Sequence, residues 1–412
     1  MTLKEILQLA MKKSASDVHL KAGIMPVIRR HGVLRPLAAN MSPLSGKEIE
    51  SMALSMMDPR QKAHFLEFHE IDLGYGVSGL GRFRVNVFRQ RGTVRMVIRN
   101  IPYVVPTYEE LNLPEVVSRI AHNERGLILV TGVTGSGKSS TLAAIVDDIN
   151  KRRNKHILTI EDPIEFLIRD KKSIITQREL GVDSTSYSRA LRAALRQDPD
   201  IILIGEMRDR ETIETALIAA ETGHLVLSTL HTMDAQETIN RILAAFEPHQ
   251  QNQIRMQLAS VLKAVISQRL ARKIDKKGFI PAVEILINNA RIKEMIESPE
   301  KTRLITSAIE ESQVAWGMQS FDQSLMRLLQ QGLIDLDEAL NLSTHPEDFR
   351  IRVSGVTAMD GKKWTDTQNS SSASSDEDED PWAGLTEVEI EEPTELAKSS
   401  EKGRKKASGD GK

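Results

Sequence analysis

The chain has no cysteine in its 412 residues, which excludes disulfides, thiolate zinc sites and thiol nucleophiles together. Aromatic residues make up only 4%, so there are few stacking platforms for a single-stranded nucleic acid. No apolar run reaches the about 18 residues that a membrane-spanning helix needs, and residues 1–5 lack the apolar core of a signal peptide. Net charge is small, at −2, and unevenly spread. Residues 361–412 hold 13 acidic and 8 basic side chains, a local charge of −5, and the rest of the chain carries +3. Neither value is the footprint of a nucleic-acid surface. The expectation is a soluble cytoplasmic protein with no nucleic-acid partner and length for about three domains.

What the chain does have is a phosphate-binding pattern. Gly132-Val133-Thr134-Gly135-Ser136-Gly137-Lys138-Ser139 fits G-x-x-x-x-G-K-[ST] at every fixed position, with Ser140 behind it. The aliphatic run 127–130 reads as a buried parallel strand entering the loop, and 141–149 reads as a helix leaving it. A strand, a glycine loop and a helix N-terminus together turn backbone N–H groups and the helix dipole onto one anion. In such a loop Lys138 reaches the β and γ phosphates, and the Ser139 hydroxyl ligates Mg²⁺. A nucleoside triphosphate is therefore expected on Gly132, Thr134, Gly135, Ser136, Gly137, Lys138, Ser139 and Ser140.

Thr2 and Glu5 form a capping-box pattern ahead of Leu3, Ile6, Leu7 and Ala10, which draw one apolar helical face. Short alternating runs at 18–20, 27–28 and 71–75 follow, so strands and turns are expected to dominate a small α+β domain over 1–100. Ile101-Pro102 and Val105-Pro106 mark a linker at 101–111. Over 112–360 the pattern becomes α/β: buried strands at 127–130, 157–160, 201–204 and 225–230 alternate with helical segments, the signature of a parallel sheet. Beyond 232 the reading is mostly helical, with one β segment near 280–287. Residues 361–412 turn Ser-rich and then acidic, and disorder is expected there. Within them Asp380-Pro381-Trp382-Ala383-Gly384-Leu385 reads either as a docking peptide or as part of an entropic solubilising tail.

A phosphate loop needs an acid for Mg²⁺ and a group that positions or activates water. Ile201-Ile202-Leu203-Ile204-Gly205-Glu206 is an apolar strand ending in a carboxylate, which makes Glu206 the candidate for the metal shell. A second such strand delivers Glu161, Asp162 and Glu165, one of which is expected to act on water. His224 and His231 bracket the strand 225–230, and by spacing alone both read as structural. Arg82 and Arg84 share one face of a strand, opposite Phe83, Val85 and Val87. They suit a phosphate, with a solvated outer face as the alternative.

Together these motifs resemble the hexameric secretion ATPases, and within them the type IV pilus retraction motors of the PilT and PilU type, over about residues 16–349. The resemblance implies a PAS-like N-terminal domain joined to a RecA-like ATPase domain, with six copies in a ring and ATP between subunits. It implies that Glu165 is the catalytic glutamate, Glu206 the Walker B glutamate, and His224 and His231 a functional histidine box. Arg82 and Arg84, with Arg99 behind them, are the arginines expected to reach the nucleotide. Assembly motors of the superfamily usually carry a four-cysteine zinc motif, so its absence favours retraction, the movement behind twitching motility. Ala290-Arg291-Ile292-Lys293-Glu294-Met295-Ile296 departs from the Ala-Ile-Arg-Asn-Leu-Ile-Arg segment of PilT-type motors, and the alternative is an accessory ring that works with a paralogous motor. The implied partners are an inner-membrane pilus platform protein and that paralogue, and the implied location is the inner face of the cytoplasmic membrane.

Overall fold

The computed structural model describes residues 1–360 except His31, Asn40 and Tyr103, and side chains as far as Gly355. The disorder expected at 361–412 lies outside the described residues. One sheet is built from β1 (Asp17–Leu20), β2 (Val27–Arg30), β3 (Val33–Pro36), β4 (Glu70–Val77), β5 (Gly81–Gln90) and β6 (Thr93–Ile101), in the order β3-β2-β1-β6-β5-β4. The other contains β7 (Gly126–Thr131), β8 (His156–Glu161), β9 (Ile174–Glu179), β10 (Ile201–Ile204), β11 (Leu225–Leu230), β12 (Leu262–Arg272) and β13 (Phe279–Ile287), in the order β13-β12-β7-β11-β10-β8-β9. The described residues group into two compact units, Met1–Glu70 with Val87–Val97, and Ile71–Asn86 with residues 98–360.

In the first unit the helix Leu3–Lys12 opens on the Thr2/Glu5 capping box and buries Leu3, Ile6, Leu7 and Ala10. Two further helices, Gly46–Met56 and Pro59–Phe68, occupy a stretch expected to be strands and turns. Each starts on its own box, Ser45 with Glu48 and Asp58 with Gln61. Gly46 and Pro59 both stand at the first helical position, where Pro is at home because its missing N–H would have had no partner.

In the second unit, β9, β8, β10, β11, β7 and β12 run parallel in that spatial order, and β13 pairs antiparallel with β12. β7, β10 and β11 are buried along their whole length, because apolar clusters fill both faces of the sheet. The four expected strands are present. β12 and β9 are additions, and β12 corrects the helical reading beyond 232. Residues 262–272 follow the helix Pro248–Val261 without a Gly or Pro break. They become a strand because pairing with β7 buries Ala264, Val265 and Ile266, a gain that local periodicity does not record.

The register pairs Thr131 with Leu230, and Ile204 with both Ser228 and Ile160. The carboxyl ends of β7, β8, β10 and β11 therefore lie level, and the segments after them emerge on one side of the sheet.

Candidate nucleotide-binding site

These segments enclose a cavity of about 550 Å³, within the usual range for a small-molecule site. Its lining belongs wholly to the second unit. Thr134, Gly135, Gly137, Lys138, Ser139 and Ser140 supply one wall. Gly132 has φ +136°, and a Cβ there would lie 2.4 Å from the Gln268 carbonyl oxygen, so no larger residue fits. Gly137 adopts φ +95° and starts the helix Lys138–Arg152 three residues earlier than expected. That helix has no side-chain cap, so its first N–H groups are offered to an anion. The Lys138 ammonium folds back over the loop, donating to the carbonyls of Gly132 (2.7 Å) and Val133 (2.9 Å). Burial pulls its pKa below the usual lysine value, and the Glu206 carboxylate opposes that fall. Gly132 and Ser136 are buried behind the loop and are not on the cavity wall.

Glu206 follows β10 and faces the loop. One carboxylate oxygen accepts from Arg208 Nε and Nη2, both at 2.7 Å, and the other lies 3.2 Å from His231 Nε2. His231 Nδ1 is 3.4 Å from the Thr134 hydroxyl. A polar relay thus links the glycine loop to the ends of β10 and β11. On the opposite wall, β8 delivers its three acids to different tasks. Glu161 accepts from the hydroxyl of Thr159 (2.7 Å), the amide of Gln177 (3.2 Å) and the backbone N–H of Glu165 (3.3 Å). Burial raises its pKa, these hydrogen bonds work against the rise, and the Glu165 charge adds to it. All three acids line the cavity: Glu161 is half-buried and held by these hydrogen bonds, whereas Asp162 and Glu165 are exposed.

Arg84 and Arg99 line the same cavity, and Arg82 does not. Arg82 pairs at 2.7 Å with Glu179, a carboxylate only 3% exposed, which also accepts from the Ile164 N–H at 3.2 Å. A buried carboxylate needs a cation close by, and here the pair braces the segment that carries Glu165. The structure also separates the two histidines. His224 precedes β11, roughly 20 Å along the strand from His231, and its Nδ1 lies 2.9 Å from the Ala219 carbonyl. It is not part of the cavity, because a strand of this length sends its two ends to opposite edges of the sheet.

Sequence reasoning did not single out Arg208, Tyr187 or Gln268. Arg208 carried a signal, its place two residues after Glu206. Tyr187 lines the wall beside Gly205, its phenol pKa raised by burial and by the charges of Asp162 and Glu206. Gln268 donates to the buried Thr141 hydroxyl at 2.8 Å across 127 positions of sequence, and nothing local could have announced it.

Comparisons with known proteins identify the family. Residues 1–295 match the family described as type II/IV secretion system protein. The type IV pilus retractation ATPase PilT of Pseudomonas aeruginosa is 45% identical over 349 residues, covering 85% of this chain and 100% of that protein. The type IV pilus ATPase PilU of the same organism is 38% identical over 353 residues, covering 86% and 91%. A crystal structure of the pilus retraction motor PilT with bound ADP superposes with a TM-score of 0.78 at 44% identity, covering 84% of this chain and 98% of that one. A match that runs through both sheets, with relatives aligned along nearly their whole length, leads to one conclusion: the chain belongs to the type II/IV secretion system protein family.

Proposed function

We propose that this chain is the subunit of an ATP-hydrolysing motor that retracts a type IV pilus, working as a ring of six at the inner face of the cytoplasmic membrane against a pilus platform protein. The observation that carries the reading is the meeting of the glycine loop, Glu165 and Glu206 in one cavity at the carboxyl ends of parallel strands. The superposition on an ADP-bound retraction motor supports it. In this reading residues 1–100 are a PAS-like domain, 101–111 a linker and 112–360 a RecA-like ATPase domain.

Lys138 and the loop N–H groups hold the phosphates. Glu165, exposed on the facing wall, orients and deprotonates the attacking water, while Arg82 and Glu179 keep its segment in place. His231 connects Glu206 to Thr134, so a change at the phosphate end of the site is felt at the ends of β10 and β11. Arg84 and Arg99 bring positive charge to the same cavity. The residues also fit Mg²⁺: Ser139 and Glu206 offer hard oxygen donors on one wall, and no cluster of three or more metal-binding side chains occurs among the described residues. That suits an ion held by one or two protein oxygens plus phosphate. When bound, Mg²⁺ supplies neutralisation of phosphate charge.

Glu165→Gln in the purified full chain should lower ATP turnover by about 10²–10⁴-fold, and Lys138→Ala should abolish it. Normal hydrolysis by either variant would refute the assignment. The same variants in a deletion strain should fail to restore pilus retraction. The second reading, an accessory ring dependent on a paralogue, rests on the altered segment at Ala290 to Ile296. The higher identity to PilT than to PilU favours the first, and residual retraction in cells without paralogous motors would exclude the second.

A further inference from the structure

The end of β12 and the turn that joins it to β13 carry four cations in six residues, Arg272, Lys273, Lys276 and Lys277, against the single acid Asp275. It is a folded turn: the Lys273 N–H donates to the Gly278 carbonyl at 3.1 Å, and Lys276 sits at φ +57°. Its own acid and a neighbouring one accept from backbone N–H groups. Asp275 accepts from the Lys277 N–H at 2.9 Å, and Glu338 accepts from the Arg272 N–H at 2.7 Å. Among the described residues none of the four cationic side chains has an ion pair. Ile274 and Phe279 stand beside them, 52% and 62% exposed. Three exposed cations and the half-buried Lys273, interleaved with exposed apolar groups, form a surface for an acidic ligand that also carries apolar side chains.

The chain contains one. Asp376-Glu377-Asp378-Glu379-Asp380-Pro381-Trp382-Ala383-Gly384-Leu385 sets five carboxylates directly before a tryptophan and a leucine. We propose that this segment docks on the β12–β13 turn of its own chain, its carboxylates on Lys273, Lys276 and Lys277 and its Trp382 against Ile274 and Phe279. The tether permits it. The helix Pro346–Asp360 packs on the helix Leu336–Leu342, which itself meets β12, and just before that helix the Leu333 carbonyl accepts from the Ile274 N–H of the turn at 3.0 Å. From residue 360 to residue 376 the backbone spans up to about 50 Å when extended. Exposed ion pairs are individually weak, but tethering supplies a local concentration on the order of millimolar. The site matters because β12 is the strand that flanks the glycine loop, with Gln268 against Gly132.

The absence of cysteine makes a direct test available in the full chain. Lys277→Cys is combined either with Ala383→Cys or with Ser371→Cys, and disulfide formation under mild oxidation is followed by gel mobility and by mass of the linked peptides. A free tether favours residue 371, the nearer one. Docking predicts that residue 383 reacts about tenfold faster than 371, as expected for a raised local concentration. The preference should vanish when Lys273→Glu and Lys276→Glu are added. It should also vanish in 1 M NaCl, where screening acts within about 3 Å. Equal or slower reaction at 383, or a preference untouched by the Glu substitutions, would overturn the proposal. A disulfide joining two chains would overturn it in favour of a neighbouring copy's segment. Unaltered 383 and 371 rates together with binding of the full chain to phosphatidylserine vesicles, lost on the Glu substitutions, would overturn it in favour of a membrane surface.

Discussion

Single residues in this protein are constrained either by the backbone or by burial, and the two constraints make different predictions. Gly132 is held by the backbone, since its positive φ and the nearby Gln268 carbonyl exclude a Cβ. Gly132→Ala should destabilise the protein by at least about 1 kcal/mol and impair nucleotide binding, both measurable by urea unfolding and by nucleotide titration. Glu284 is constrained by burial, which raises its carboxyl pKa to about 7, with the Ala235 N–H hydrogen bond working against the rise and Asp234 adding to it. The folded state thus holds a proton that the unfolded state releases near its ordinary pKa. Glu284 therefore costs nothing at low pH, and its cost grows between about pH 4.5 and 7 and stays constant above that, reaching a few kcal/mol at ~1.4 per pKa unit. Glu284→Gln keeps an acceptor for Ala235 without the charge. It should raise the melting temperature at pH 8 and bring little gain at pH 5. An equal gain at both would show that ionisation is not the cause.

Among the elements, β12 has the most to explain. It extends the parallel sheet past β7 and closes one side of the glycine loop, and its attachment includes a buried hydroxyl pair, Thr131 to Ser267 at 2.9 Å, between residues in register. Ser267→Ala leaves the Thr131 hydroxyl buried without that partner and should cost about 1–3 kcal/mol in urea unfolding. Adding Thr131→Val should recover most of the loss, because the unpaired group is removed. The six parallel strands were readable in different degrees. β7, β8, β10 and β11 are short aliphatic runs between turn residues, and such runs announce themselves. β9 begins Ile174-Ile175-Thr176 and then turns polar, which hid it at the sheet edge. β12 mixes Lys, Ser, Gln and Arg with apolar residues, and only contact with β7 makes it a strand.

At the scale of the whole molecule, the proposed ring makes activity a collective property. If ATP lies between subunits, specific activity should fall on dilution once subunits separate, by mass action. Measuring turnover per subunit across a concentration series, alongside sedimentation, would check this, and constant specific activity in a dispersed monomer would rule out a site completed by a neighbour. The fold class was legible because strand and helix periods alternate from residue 112 on. The division into units was less so: residues 71–86 group with the second unit although they lie within the first sheet, and no change of composition marks that boundary.

The glycine loop is what the sequence by itself determined, since each of its positions answers to a local demand, positive φ at the glycines and hydrogen-bond donors or a cation elsewhere. Glu206 was legible for the same reason, as the residue that ends an unmistakable strand. Tertiary structure alone decided that His231 and not His224 reaches that carboxylate, that Arg84 lines the cavity while Arg82 is bound to Glu179, and that Glu161 is tied into hydrogen bonds with Thr159 and Gln177 while Glu165 is exposed. Each of these choices depends on sheet register and on which groups lose water, and both are set by contacts between residues far apart in the chain.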